Sequence, residues 1–284
     1  MIDISGFSLG DKWNKPGQEE YLDNVRLAKK YGVKMVLMSQ SFGPFHYKKD
    51  MQIIHTEIEQ LLQYPYAVYA REEEGEYLLK HQYNLKNVRK TPDIVLQSKK
   101  IDYDKIYKVA PVLNLLDDAF VDAVAIVLNI KCFQHGNEND LYDLYKKMIE
   151  IILKNSREVY LIRHSREDLS ACRIIKELFL ENDRVHLVEN DFSCIEFDEV
   201  IKQFQFAIVS RYHGVVHSYK NCIPCIILGW AVKYKELAKN MDQAEYSFDI
   251  TGDRMNADEI LEYVCRMIKN YQAEKVKIES CLRE

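Results

Sequence analysis

The stretch "FAIVSRYHGVVHSYKNCIPCIIL", residues 206–228, contains two short apolar runs joined by one amphipathic segment. The runs "FAIVS" (206–210) and "PCIIL" (224–228) have the length and composition of buried β-strands. The segment between them is long enough to form a helix. Because parallel strands need a crossover connection of this size, we predict a parallel β-α-β unit here.

The same alternation of short apolar runs and amphipathic segments extends along the chain. The other runs are "IDISGFSL" (2–9), "KMVLMS" (34–39), "YAVYA" (66–70), "DIVLQ" (93–97), "AVAIVLNI" (123–130), "EVYLIRH" (158–164) and "RVHLVE" (184–189). Helical spacing appears between them, as in Leu141, Leu144, Met148 and Ile152. The pattern predicts an α/β fold with doubly wound, Rossmann-like parallel sheets.

A mixed stretch at residues 98–118 interrupts the alternation and predicts a domain boundary. We expect an amino-terminal domain over residues 1–110 and a carboxyl-terminal domain over 111–284, whose last helix crosses back. The second domain contains about five predicted strands and the first only three or four. We therefore expect the first domain to lack its initial βα units, because a Rossmann half needs several of them.

Composition restricts the class of protein. Of the 284 residues, 47% are hydrophobic and 29% charged, which is typical of a soluble globular chain. The apolar runs are too short to span a bilayer, and no charged segment followed by an apolar run opens the chain, so we expect no secretion signal. Seven irregularly spaced cysteines predict reduced thiols in a cytoplasmic protein. The net charge of −5 argues against nucleic acid as a partner.

The turn after "FAIVS" is the strongest candidate for a functional site. In a doubly wound sheet, ligands bind beyond the carboxyl ends of the strands. Ser210, Arg211 and His213 fall at such an end, where a helix begins and its free N–H groups favour anions. We predict a functional role for His213. His217 lies one turn deeper, and we expect it to pack or to bond to a backbone carbonyl.

Two other chemistries are weaker interpretations of this region. His213 and His217 have the spacing of the zinc motif H-E-x-x-H, but Gly214 stands in the position of its glutamate. A catalytic zinc also needs a third protein ligand, and the sequence places none, so we predict no metal site. "CIPC" (222–225) has redox spacing, yet Cys225 begins an apolar run and should point into the sheet.

Three further turns carry candidate binding residues. Gly43 in "SQSFGPF" and Gly6 in "ISGFSLGD" provide backbone freedom at strand ends. Arg71 in "AREEEGEYL" follows the strand "YAVYA"; its alternative role is an ion pair with the acidic residues 72–74. Neither G-x-G-x-x-G nor a P-loop motif occurs, so the common dinucleotide and nucleoside triphosphate sites are not predicted.

Taken together, these motifs resemble the polysaccharide pyruvyl transferase family. The matching stretches are "SQSFGPF", "AREEEGEYL", "PDIVL", "SRYHGVVHS" and "PCIILGWAVKYKEL", the last of which contains Lys233. They cover nearly the whole chain in the order found in the family. Two positions depart from the family pattern: Gly75 stands where a serine is usual, and Ser39 where a glycine is usual.

The resemblance implies a glycosyltransferase-B-like pair of Rossmann domains with the site in the cleft between them. It implies transfer of the enolpyruvyl group of phosphoenolpyruvate to a sugar diol, forming a pyruvate ketal in cell-surface polysaccharide biosynthesis. Phosphoenolpyruvate is then a co-substrate, and no cofactor is expected. His213 would be the catalytic acid. The expected substrate-binding residues are Arg71, Arg211, Lys233, Ser210, Gly43 and Gly6.

Two alternatives remain open at this stage. A nucleotide-sugar glycosyltransferase can have the same architecture, since fold does not determine function. A truncated, inactive ligand-binding homologue would fit the short first domain. The expected acceptor is a sugar or a lipid-linked oligosaccharide, and peripheral membrane association and homo-oligomerisation are both left open.

Overall fold

The structure, a computed structural model, describes residues 1–98, 102–109 and 122–283. The chain divides into two compact units, Met1–Ser98 and Lys99–Glu284. The boundary predicted between residues 110 and 111 lies outside the described residues. Each unit has a parallel sheet and its own apolar core.

The amino-terminal unit contains five parallel strands. Its elements are β1 (Ile2–Asp3), β2 (Phe7–Leu9), α1 (Lys15–Lys30), β3 (Val36–Phe42), α2 (Gln52–Leu61), β4 (Ala67–Ala70), α3 (Glu73–His81), β5 (Val88–Lys90) and α4 (Ile94–Gln97). The strand order is β1-β3-β4-β5, and β2 also pairs with β3. The connecting helices α1, α2 and α3 pack apolar side chains into the core on this sheet.

Helix α1 shows how the local sequence determines an element of this unit. The Asn14 side chain accepts a hydrogen bond from the Gly17 N–H and caps the helix. Leu22, Val25 and Ala28 then recur at helical spacing and are buried in the core.

The carboxyl-terminal unit contains six parallel strands among its described residues. Its elements are β6 (Ala123–Leu128), α5 (Ile130–His135), α6 (Glu138–Lys154), β7 (Glu158–Arg163), α7 (Leu169–Glu177), β8 (Val185–Val188), α8 (Cys194–Ile201), β9 (Phe206–Val209), α9 (Tyr212–Lys220), β10 (Cys225–Gly229), α10 (Val232–Asn240), β11 (Ser247–Asp249) and α11 (Ala257–Arg283). The strand order is β11-β10-β9-β6-β7-β8.

This order creates a topological switch point between β6 and β9. From β6 the chain proceeds through β7 to β8, and it then returns to the other side of β6 for β9, β10 and β11. The loops after β6 and β9 therefore leave the sheet in opposite directions. The crevice beyond the carboxyl ends of such strands is the general ligand position in open α/β sheets.

The predicted fold class is confirmed, while four segments differ from the prediction. The run "IDISGFSL" forms two short strands, β1 and β2, and together with β5 they give the first unit five strands, not three or four. "DIVLQ" is not a strand but the short helix α4, because the Asp93 side chain accepts the Val95 N–H and caps a helical turn. The sequence analysis missed β5 and β11. Both have only three residues, and each is an edge strand of its own sheet, where few apolar side chains are needed.

Helix α11 closes the carboxyl-terminal unit. Its apolar face is buried in that unit's core through Ile260, Val264, Met267 and Ile268. That this helix crosses back to the first domain stays a prediction. Within the described ranges, no helix combines the length and apolar character that a bilayer span requires.

Candidate functional site

The turn between β9 and α9 lies at the switch point and is built as predicted. Arg211 has extended backbone angles and is the residue that precedes α9, and its carbonyl accepts the Val215 N–H. No side chain among the described residues caps this helix. The first N–H groups of α9 are therefore oriented toward the crevice with the positive end of the helix dipole.

His213 is the second residue of α9 and is exposed at this uncapped end. Its ring lies edge-on to the buried ring of Tyr212, with 5.6 Å between the ring centroids. The structure thus places His213 in the first turn of α9, at the positive end of the helix dipole, which favours an anionic ligand.

Gly214 allows α9 to approach the sheet closely. A Cβ atom at this position would lie 2.8 Å from Val209 Cγ1 and 3.3 Å from Val127 Cγ1. Both valines belong to strands at the switch point, β9 and β6. Gly214, which stands at the glutamate position of the zinc motif, thus has a packing role, because a larger residue would push the start of α9 away from the sheet.

The Arg211 guanidinium is held by two carboxylates. Its Nε and Nη2 atoms donate to Asp168 Oδ2 and Oδ1 at 2.9 and 2.6 Å, and Nη2 also donates to Glu167 Oε1 at 2.5 Å. Within the described part of the chain, Nη1 makes no hydrogen bond. The two-point contact with Asp168 fixes the plane of the guanidinium.

Asp168 is a positioning residue that the sequence analysis missed. Its side chain is completely buried, and besides Arg211 it accepts the backbone N–H groups of Ile130 and Ser165 at 3.0 and 2.9 Å. It thereby joins the loops that follow β6, β7 and β9. A capping box in "SRED" (165–168), where Ser165 and Asp168 cap each other's backbone, was the available sequence signal.

Ser210 lies beneath the turn with all its polar groups engaged. Its hydroxyl pairs with the Tyr145 hydroxyl at 2.6 Å. Its carbonyl accepts from Asn129 Nδ2 at 3.1 Å and from the Tyr234 hydroxyl at 2.9 Å. Ser210 is fully buried, so the geometry gives it a supporting role under Arg211. Its predicted contact with substrate stays a prediction.

Lys233 is brought to the same turn by α10, which begins directly after β10. Its Nζ atom lies 5.0 Å from the centroid of the Tyr212 ring and within 6 Å of the Trp230 and Tyr234 rings. Helix α10, like α9, begins without a side-chain cap among the described residues. A second cation and a second helix end therefore face the region of His213.

His164 is a further histidine in this region that the sequence analysis did not single out. It follows β7, and its ring packs edge-on against Phe197 at 4.9 Å between centroids. Burial, together with the charges of His217, His213 and Arg211, lowers its pKa to about 3. His164 is therefore neutral near pH 7.

His217 is buried and belongs to a polar cluster around Asp198. Its Nδ1 atom lies 2.8 Å from Asp198 Oδ1, while Lys220 Nζ and Asn221 Nδ2 donate to the same carboxylate at 2.8 and 2.9 Å. The structural interpretation of His217 is supported by its burial, but its partner is a carboxylate, not the backbone carbonyl that we expected.

The amino-terminal unit contains a comparable arginine after β4. Arg71 is buried; its Nε donates to Ser41 Oγ and Glu72 Oε1, and its Nη1 to Asp93 Oδ2, each at 2.9 Å. The alternative ion pair with Glu72 is therefore present. The predicted contact of Arg71 with substrate, and a site shared with residues of the other unit, stay predictions.

Gly75 and Gly43 support the turn geometry near Arg71. A Cβ atom on Gly75 would lie 3.2 Å from the Phe42 carbonyl oxygen, so the departure from the family serine permits close packing of α3 on β3. Gly43 has a φ of +82°, which favours glycine, and its N–H donates to the Leu9 carbonyl. The Gly6 carbonyl accepts the Ser41 N–H, which joins the turn after β1 to β3.

Possible metal ligands and the Cys225 thiol bear on the two weaker interpretations of this region. In the described part of the chain, no three His, Cys, Asp or Glu side chains converge as a metal site would require. Cys225 is buried in β10, as predicted, and burial raises its thiol pKa to about 12. Such a thiol is a poor nucleophile near pH 7.

Several solved structures have a similar fold. The complex of S. aureus MnaA with UDP superposes with a TM-score of 0.61 at 13% identity, covering 96% of this chain and 69% of that one. The UDP-GlcNAc 2-epimerase of Methanocaldococcus jannaschii gives 0.59 at 13%, covering 93% and 69%. A TarM mutant of S. aureus superposes with a TM-score of 0.52 at 9% identity. The match covers 91% of this chain, which spans 54%, about half, of the TarM chain. At these identities the likeness shows the fold alone.

The sequence comparisons are more specific. None of the curated proteins compared with the chain matches it. A family model, Polysaccharide pyruvyl transferase, matches residues 3–231. That segment includes the Arg71 turn, the turn of Arg211 and His213, and the whole of β10, and it ends two residues before Lys233. The resemblance seen in the motifs is confirmed, and the chain belongs to the polysaccharide pyruvyl transferase family.

Proposed function

We propose that the protein transfers the enolpyruvyl group of phosphoenolpyruvate to two hydroxyls of a sugar, forming a pyruvate ketal and releasing phosphate. The observation that carries this proposal is the position of His213 at the uncapped start of α9, directly beyond β9 at the switch point. The family match over this segment supports it.

The donor carries a carboxylate and a phosphate, so its site needs several cationic groups. The start of α9 supplies partial positive charge from the helix dipole, and Arg211 supplies a guanidinium whose plane is fixed by Asp168. Lys233 adds a point charge beside the Tyr212 ring. We propose that these groups bind the donor's anionic ends and leave its methylene carbon near His213.

His213 then acts as the general acid. The protonated imidazole gives its proton to the methylene carbon of the donor, and a sugar hydroxyl bonds to the adjacent carbon. Departure of phosphate and attack by the second hydroxyl close the ketal. Of the two hydroxyl protons released, one restores the acid and the other leaves with phosphate. The step therefore balances without a redox partner.

The acceptor and the cellular setting belong to the same proposal. We propose a sugar or a lipid-linked oligosaccharide as acceptor, in cytoplasmic synthesis of a cell-surface polysaccharide. A lipid-linked acceptor would bring the protein to a membrane surface.

Phosphate release tests this function. The chain is incubated with phosphoenolpyruvate and a panel of galactosides, mannosides and lipid-linked sugars, and inorganic phosphate is measured. The proposal expects phosphate release that requires both donor and acceptor. Nucleotide release from a sugar nucleotide, with no use of phosphoenolpyruvate, would favour a glycosyltransferase. Donor binding without turnover on any acceptor would favour an inactive ligand-binding homologue.

A further inference from the structure

The two carboxylates on Arg211 differ sharply in their environment. The Asp168 side chain is completely buried, whereas the Glu167 side chain is 49% exposed. Both accept hydrogen bonds from the same nitrogen, Nη2. One of the partners is therefore part of the packed interior, and the other faces solvent.

This difference determines which partner can be exchanged. Removing one member of a buried ion pair leaves an uncompensated charge and is strongly unfavourable. An exposed ion pair contributes little, since water and salt compete with it and two long side chains lose freedom. An incoming anion can thus replace Glu167 at Arg211, but it cannot replace Asp168.

A second cation acts on the same carboxylate. The hydrogen bond from Arg211 lowers the pKa of Glu167, and the charge of Lys131 lowers it further. Lys131 is exposed at the start of α5, in the loop after β6, while Arg211 follows β9. The backbone N–H of Ile130, the residue before Lys131, donates to Asp168, the residue after Glu167, at 3.0 Å, so Lys131 and Glu167 lie on adjoining segments at the switch point.

We propose that Glu167 is a specificity-determining residue that occupies the donor's anion position before the donor binds. In this proposal, which rests on the proposed function for the identity of the donor, a carboxylate or phosphate of phosphoenolpyruvate displaces Glu167 and binds between Arg211 and Lys131. Glu167 lowers donor affinity by competing for Arg211, so that only an anion able to contact both cations is retained.

Calorimetric titration with phosphoenolpyruvate tests the proposal on the full chain. Glu167→Gln keeps the size of the side chain but removes its charge, so donor binding should become about two- to fivefold tighter, the scale of an exposed ion pair. Lys131→Gln should weaken binding by a similar factor. Because both positions are exposed, we expect both variants to fold, which a thermal melt verifies.

Glu189→Gln is the matched control. Glu189 follows β8 at the same edge of the sheet and pairs with Arg173 through a contact of 2.7 Å, with both side chains about half exposed. Its replacement removes the same charge and should leave donor affinity unchanged. An equal gain in Glu189→Gln would mean a general charge effect and overturn the competition.

The outcomes separate this inference from the function on which it rests. Wild-type binding of phosphoenolpyruvate with equal or weaker binding by Glu167→Gln overturns the role of Glu167 alone. Unchanged affinity in Lys131→Gln overturns the position between the two cations. Failure of the wild type and of every variant to bind phosphoenolpyruvate overturns both the donor assignment and the inference.

Discussion

At the scale of single residues, each arginine of the predicted site is paired with two neighbouring carboxylates. Arg71 contacts Glu72 and Asp93, and Arg211 contacts Glu167 and Asp168. Each group of one arginine and two ionised carboxylates has a formal charge of −1. Attraction for an anion must therefore come largely from helix ends and from further cations such as Lys233.

His213 is the residue whose replacement tests the chemistry most simply. His213→Gln retains hydrogen bonding but removes the titratable acid. Turnover should fall by roughly 10²–10⁴-fold, the usual effect of losing a general acid. The melting temperature should change little because the ring is exposed. The measurement is phosphate release beside a thermal melt, and an unchanged turnover number would contradict the acid role.

His217 provides the matched control on the same helix. His217→Gln removes a buried hydrogen bond to the ionised Asp198, which should cost about 1–3 kcal/mol of unfolding free energy. Turnover per folded molecule should survive. Denaturant unfolding and phosphate release measure the two quantities. If His217→Gln lost as much turnover as His213→Gln and no stability, the structural role of His217 would be contradicted.

The Asp198 cluster also predicts a pH dependence of stability. Burial raises the pKa of Asp198, but hydrogen bonds from His217, Lys220 and Asn221 outweigh burial and lower the pKa from its ordinary value of 3.8 to about 2. A lowered folded-state pKa stabilises the fold above the unfolded pKa, and the contribution disappears as pH falls through the folded pKa. The shift corresponds to about 2 kcal/mol.

We therefore expect a loss of about this size between pH 4 and pH 2, since the linkage acts only in that interval. Unfolding free energy measured against pH should show it in the wild type, and His217→Gln should show a smaller loss there. Identical acid dependence in the two proteins would contradict the role of the cluster.

At the scale of elements, the contact of α9 with the sheet positions the candidate acid. Gly214→Ala would place a Cβ atom 2.8 Å from Val209 Cγ1. Overpacking should lower the free energy of unfolding by about 1–3 kcal/mol, which exceeds the gain of up to about 1 kcal/mol from the higher helix propensity of alanine. We predict a net destabilisation of about 1 kcal/mol in denaturant unfolding, from the same balance, and weaker donor binding.

The control for this prediction is Val209→Ala, which opens the space that the new methyl group needs. Gly214→Ala should cost less stability in that background than in the wild type. Equal costs in the two backgrounds would show that the Val209 contact does not limit the approach of α9.

The elements that could be predicted from sequence are those buried on both faces. Strands such as β6 and β9 consist entirely of buried residues, so their continuous apolar runs identify them. The run "DIVLQ" has similar composition but follows Pro92 and begins with a capping Asp93, and local capping favoured helix α4. The edge strand β5, "VRK", has too few apolar residues to show a period.

The site was predictable only in part, for a related reason. Turns at strand ends are local, so Arg211 and His213 could be located from the sequence around them. Asp168 contacts Arg211 across 43 positions of the chain, and His217 contacts Asp198 across 19. Such contacts arise from the strand order, which brings the loops after β7 and β9 to either side of β6.

At the scale of the whole molecule, two parallel sheets with separate cores explain how one chain presents several strand-end turns. The net charge of −5 makes a general attraction for anions unfavourable. Donor recognition must then rely on Arg211, Lys233 and the start of α9 at the switch point. The central claim is that these groups select phosphoenolpyruvate as the donor.

The most direct test follows the transferred carbon. Phosphoenolpyruvate labelled with carbon-13 at its second carbon is incubated with the chain and a competent sugar acceptor, and the product is examined by NMR. We predict that the label appears in a ketal carbon bonded to two sugar oxygens, with an equal amount of inorganic phosphate released. Label that stays in phosphoenolpyruvate, with no ketal carbon formed, would contradict the proposed transfer.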